Sequence, residues 1–169
     1  MMSAAELPGR TMDELIVYRQ GLLFALEEVV SKLTEIVRIT SPKDWHRTTG
    51  SNKHTPHAIL VHLWLLEAKQ FALYIRRIYD QDMPLLPSFD DASWMRSYYK
   101  PKEKPGVILR EFAELRQMEI NWLRQLPPEA WSRMGRHPKW GEHTLQWWVE
   151  LQLEYSHQHL DELSSTLKA

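Results

Sequence analysis

Apolar residues recur in steps of three and four through long stretches of this chain, and that spacing suits a helix with one buried face. In the first stretch, about Thr11 to Ile39, they fall at Leu15, Tyr18, Leu22, Ala25, Val29, Leu33 and Ile36. Ser41-Pro42 then breaks the pattern, because the residue before proline disfavours helical geometry. A second helix is expected from Thr55-Pro56 to about Tyr79. Threonine suits the cap and proline the first helical position, and the apolar face is read through Ile59, Leu63, Leu66, Leu73 and Ile78. A third, about Gly106 to Leu126, shows Ile108, Phe112, Leu115, Met118 and Trp122. Thr144 is placed to cap a fourth that reaches about Leu167.

Between the second and third helices, Gln81 to Pro105 is rich in proline and polar residues, with one short helix expected near Asp91 to Tyr99 behind a cap at Asp90. A connection this long is either functional or a crossover between bundle helices. In it Trp94, Tyr98 and Tyr99 either close over a pocket or pin the loop. Another short turn is expected around Trp131, and Arg136 to His143 reads as irregular. With no strand-like alternation or repeat standing out, the expectation is one all-α domain over residues 1–169, a four-helix bundle with a long connection between helices two and three.

Composition removes several chemistries. The 169 residues contain no cysteine, so disulfides, thiolate metal sites and a cysteine nucleophile are excluded. With 21 basic and 22 acidic side chains the net charge is −1, and no basic block marks a nucleic-acid partner. No apolar run is read as approaching the roughly 20 residues of a membrane span. Met1 to Glu6 lacks the basic start and apolar core of a signal peptide, so a cytoplasmic location is the expectation.

Eight histidines carry most of the functional information. On the fourth helix, at about 100° per residue, Leu145, Val149, Leu153, Ser156, Leu160, Leu163 and Leu167 share one face. Trp148, Gln152, Tyr155 and His159 flank it, while Glu154 and His157 point away. Glu154-x-x-His157 has the spacing of a di-iron motif, but no second copy exists and this one faces water. His62, inside the apolar stripe of helix two, must find a partner. If helices two and four are neighbours, His62 and His159 supply two ligands to one metal, with water completing the shell; the alternative is structural histidines, each satisfied by a neighbour. His54 and His57 are expected to face solvent or the adjoining loop, His46 lies in a connection, and His137 and His143 are near the mouth of a bundle pocket. Asp90-Asp91 reads most simply as a helix cap.

The order of His62-Leu-Trp-Leu-Leu-Glu67, Leu126-Pro-Pro-Glu-Ala-Trp131, His137-Pro138, Gly141, Thr144-Leu145, Trp148 and His159-Leu-Asp-Glu-Leu163 resembles the DinB/YfiT-like superfamily over nearly the whole length. The resemblance implies a divalent metal (zinc, nickel or manganese) held by three histidines, one on helix two and two spaced by four on helix four. The corresponding positions here are His62, Tyr155 and His159. Tyr155 departs from the pattern, since a neutral phenol is a poor ligand and ionises only near pH 10. The family's implied chemistry is metal-dependent transfer or isomerisation with a low-molecular-weight thiol, or hydrolysis of a small substrate, often in a homodimer. On that reading Gln152 and Tyr155 orient substrate. The alternative is a non-enzymatic bundle whose metal site has decayed, with Trp64, Trp148 and Tyr155 walling a pocket for a small apolar ligand.

Overall fold

A computed structural model describes residues 10–48 and 54–168; the Met1 to Glu6 segment lies outside them. Helix α1 spans Met12–Ile39. Thr11 caps it, its hydroxyl taking the Glu14 amide at 3.3 Å while the Glu14 carboxylate takes the Thr11 amide at 2.7 Å. This reciprocal arrangement is worth about 1 kcal/mol. Helix α2, Pro56–Leu65, begins at the Thr55 cap and Pro56 as expected. It continues through a π-helical turn, Leu66–Phe71, into α3, Ala72–Asp80.

That wide turn adds a residue to the helix and rotates the segment beyond it. Leu73, expected on the buried stripe, is therefore exposed, while Tyr74, Ile75 and Ile78 are buried. The same turn brings Glu67 and Gln70 inward. The full Pro56–Asp80 helix, 25 residues, is by length and composition apolar enough to cross a membrane, contrary to the sequence reading; 61% of its apolar window is buried inside the protein.

Asp90 caps α4, Asp91–Tyr98, through the Ser93 amide at 3.0 Å. Helix α5 spans Pro105–Arg124 and α6 spans Leu145–Lys168, the latter capped by the Thr144 hydroxyl on the Trp147 amide. The α5 stripe differs from expectation. Its buried residues are Ile108, Leu109, Phe112, Arg116, Glu119, Ile120 and Leu123, whereas Met118 is exposed. The inward phase thus carries two charged side chains, which a search for apolar residues alone skips.

Helices α1 and α2 both pack against α5 and α6, so α2 and α6 are neighbours. Two apolar clusters fill the bundle. One gathers Tyr74, Ile78, Trp131 and Trp148, and the other gathers Leu33, Trp45, Ile59 and Phe112.

The segment read as irregular contains a short antiparallel hairpin, β1 (Met134–His137) and β2 (Gly141–Thr144), with Met134 opposite Thr144 and His137 opposite Gly141. Four-residue strands are too short to show alternation. Gly141 has φ +80°, a backbone state few other residues adopt without strain. Gly135 lets the hairpin lie on α3, since a Cβ there would stand 2.6 Å from Ile78 Cγ1. The incoming loop joins it through the Leu86 amide on the Arg136 carbonyl at 2.8 Å.

Candidate metal site

His62 on α2 and His159 on α6 meet, with His159 Nε2 standing 2.8 Å from His62 Nδ1. The outer nitrogens are also engaged. His159 Nδ1 lies 2.7 Å from the Tyr155 carbonyl, an acceptor, so its hydrogen is on Nδ1 and its lone pair on Nε2. His62 Nε2 lies 3.3 Å from Asp91 Oδ1 but makes no hydrogen bond and is itself buried. Two proton arrangements satisfy this pair. With hydrogen on His62 Nδ1, the rings bond directly and the outer His62 lone pair faces a carboxylate. With hydrogen on Nε2, that hydrogen would lie toward Asp91 and two lone pairs would face one another, an arrangement that a cation between them would relieve. Burial lowers the His159 pKa, against the Tyr155 carbonyl, so the neutral ring that a metal requires is favoured.

The third expected ligand position holds a phenol. Tyr155 packs its ring edge-on to Phe71, 5.9 Å between centroids. Burial, with the nearby Asp91 and Glu154 charges, raises its pKa, so the phenol stays neutral and remains a poor ligand. Among the described residues no group of three or more His, Asp or Glu side chains could hold a metal ion. Two zinc-bound nitrogens in a tetrahedral shell stand roughly 3.3 Å apart, given bond lengths of about 2.0–2.1 Å. The observed 2.8 Å suits the direct hydrogen bond. As they stand the two rings are hydrogen-bonded to each other; two imidazoles with water are the donors an ion would find here, and the set does not fit a three-histidine grip.

Beside His62 a cleft of about 410 Å³ is lined by Ala58, Ile59, Asp91, Met95 and Glu162, with His54 at 3.7 Å from Glu162. The long connection thus supplies one wall through α4. Its aromatic residues anchor it: Trp94 and Tyr98 stack at 5.3 Å, and the Lys69 ammonium lies over both rings. Asp91, taken in the sequence as part of a cap, is the residue facing His62. Local sequence carries no signal for that contact, which depends on α4 packing against α2.

Gln152 and Trp148 do not line this cleft. Trp148 is fully buried against Tyr74, Trp140 and Trp147. Gln152 belongs to a charged layer between the two apolar clusters. Its amide donates to Glu67 at 2.9 Å and Glu119 at 2.7 Å, while Arg116 grips both Glu67 oxygens, at 2.6 and 2.8 Å. Burial alone would raise Glu67, but the Arg116 guanidinium outweighs it and holds the carboxyl below its ordinary value. Glu119 goes the other way: burial and the Glu67 charge push it up to about 8.

The remaining histidines are largely structural. His57, expected to face solvent or the adjoining loop, is fully buried, with Nε2 at 2.7 Å from the Glu103 carbonyl. His137 is buried, its Nδ1 accepting from the Lys139 amide, and His143 stacks on Trp147 at 3.7 Å. His157 is exposed, as its helical phase required.

Comparison with known proteins agrees with this architecture. A family model described as the DinB superfamily matches residues 25–163. The chain belongs to the DinB superfamily. Four solved chains match significantly. One of them is described as "YfiT from Bacillus subtilis is a probable metal-dependent hydrolase with an unusual four-helix bundle topology". At 18% identity it covers 95% of this chain and 89% of its own, with a TM-score of 0.81. The similarity to that DinB-like protein establishes the four-helix bundle. No curated protein matches significantly.

Proposed function

We propose that this DinB-superfamily chain is a metal-assisted hydrolase of a small substrate, with His62 and His159 as its metal ligands. One observation carries the reading: the inner nitrogens of the two rings face each other while the outer nitrogens face the Tyr155 carbonyl and Asp91. Carbonyl and carboxylate partners behind ligating histidines fix their tautomer and strengthen them as ligands. The hydrolase description of the YfiT protein supports the same reaction class. A bound divalent ion would supply an acidified water at neutral pH.

The chain's own residues would do the rest. Moving the His62 hydrogen to Nε2, which stands 3.3 Å from Asp91, would leave Nδ1 free to bind. The Tyr155 carbonyl holds the His159 hydrogen on Nδ1 and leaves Nε2 with its lone pair. Ala58, Ile59 and Met95 exclude water around the apolar part of a substrate, and Glu162 is a second carboxylate of the cleft beside Asp91, in place to act as general base. A low-molecular-weight thiol could enter the same cleft as nucleophile, which would turn hydrolysis into transfer.

The neutral Tyr155 favours a second reading, a ligand-binding bundle with a decayed metal site. Metal content measured by mass spectrometry on untagged protein, beside His62→Ala and His159→Ala, separates them. One ion per chain, lost in both variants, supports the hydrolase and leads to ester, amide and thiol-transfer assays. No ion after incubation with zinc, nickel and manganese overturns it and leaves the ligand-binding reading.

A further inference from the structure

At the end of the bundle away from His62 and His159, Arg19 of α1 is buried, with a relative exposure of 5%. Buried guanidinium groups almost always sit on a carboxylate, because desolvating an unpaired charge is costly. Arg19 does not. Its Nε donates to the Gln146 side-chain oxygen at 2.9 Å, its Nη1 donates to the Pro128 carbonyl at 3.0 Å, and its Cζ lies 5.3 Å from the Trp131 ring centroid. All three partners are neutral. The acid in this network, Glu150, accepts from the Gln146 amide at 3.0 Å and from the Tyr18 hydroxyl at 3.1 Å. Among the described residues no carboxylate forms an ion pair with Arg19, and its Nη2 has no hydrogen-bond partner.

Arg19 also lines a cleft of about 620 Å³ between α1, the end of α5 and the turn at Pro128–Ser132. That volume lies within the range of small-molecule sites. Its walls are largely apolar, with Leu23, Phe24, Leu123 and Trp131 prominent, and Phe24 is 60% exposed. Among the described residues no acidic side chain lines it. The second cation there, Arg124, is already paired with Glu27 at 2.8 Å.

We infer that this cleft binds a small carboxylate with an apolar body, its head on Arg19 and its chain or ring along Phe24 and Leu123. An anion would supply the missing countercharge and a bidentate-capable guanidinium suits a carboxylate. The apolar walls would gain by covering the body of the ligand. A phosphate or other small hydrophilic anion would leave those walls wet. From Gln146 to His159 the distance along α6 is roughly 20 Å at 1.5 Å per residue, so this site is separate from the candidate metal site.

Calorimetric titration of the full chain tests the inference without reference to activity. Octanoate and 3-phenylpropionate represent the alkyl and aryl sources of one chemistry; octan-1-ol shares the chain without the charge, and acetate the charge without the chain. The expected result is saturable binding of at least one of the two carboxylates at one per chain, with octan-1-ol and acetate weaker by tenfold or more, the factor a charge-assisted contact commands. Arg19→Gln should weaken binding by a similar factor. Because that variant alters a buried network, Phe24→Glu is the second test. It changes an exposed side chain, so the fold should survive, and it sets a negative charge on the wall. Loss of carboxylate binding in folded Phe24→Glu supports the site. Equal binding of octan-1-ol, unchanged binding in Phe24→Glu, or no saturable binding of either carboxylate overturns it.

Discussion

Glu119→Gln should change how the stability of this protein depends on pH. The Glu119 side chain is buried beside Glu67 and takes the Gln152 amide at 2.7 Å, with its other oxygen buried and without a hydrogen-bond partner. Burial and the Glu67 charge raise its pKa from 4.5 to about 8. Proton linkage sets the sign. Below pH 4.5 both folded and unfolded chains carry the proton, and this group's favourable contribution is fully present. Between 4.5 and about 8 the folded chain keeps a proton the unfolded chain has lost, so stability falls as pH rises, by about 1.4 kcal/mol per unit. Above about 8 the loss levels off.

Integrated from pH 6 to 8, the loss is about 2 kcal/mol, allowing for partial ionisation near the upper end. Glutamine reproduces the shape and the donor–acceptor pattern of a protonated acid but cannot titrate. The variant should therefore gain about 2 kcal/mol on the wild type between those pH values, roughly 4–8 °C in melting temperature for a domain of this size. Urea unfolding of both proteins at pH 6, 7 and 8, followed by tryptophan fluorescence, measures the difference, and titrations common to both proteins cancel. A gap that stays constant across the three pH values would refute the reasoning, because Glu119 would then not be holding a proton in the folded state.

Arg116→Met leaves the Glu67 carboxylate buried without its cation and should cost about 3–5 kcal/mol at pH 7; a loss under about 1 kcal/mol in the same urea assay would mean that Glu67 is not ionised there. Gly135→Ala forces a methyl group against Ile78 and should destabilise by about 1–3 kcal/mol, whereas unchanged thermal melting would show that the hairpin lifts off α3 without penalty. Tyr155→His supplies the missing imidazole of the family pattern and should tighten zinc retention in equilibrium dialysis by at least tenfold; equal retention would place the Tyr155 position outside the coordination shell.

Helix starts are legible in the sequence because each rests on local chemistry: Thr55-Pro56, Asp90 and Thr144 all act as caps. The meeting of His62 with His159 depends on helices α2 and α6 being neighbours, and they are. The features that escape have two physical causes. Arg116 and Glu119 occupy inward positions of α5, but a charged residue at such a position is recognised only when its partners on other helices are known. The hairpin escapes because its four-residue strands are too short to show alternation, and its docking on α3 and the Leu86 segment rests on residues distant in sequence. His57 is misread for the first reason, its partner being the carbonyl of Glu103, 46 positions away.

The π-helical turn at Leu66–Phe71 gives the chain a local length allowance in the middle of what otherwise reads as one rod. A residue removed there would let the helix close to ordinary winding; the lost residue and the lost wide turn cancel, so everything beyond would keep its orientation. Leu73 would stay exposed and Tyr74, Ile75 and Ile78 would keep their seats. A deletion elsewhere in this helix has no such allowance and would rotate the remainder by about 100°. Relatives with and without the extra residue would present the same faces to the bundle, and an alignment of them would need its gap inside the helix rather than in a loop.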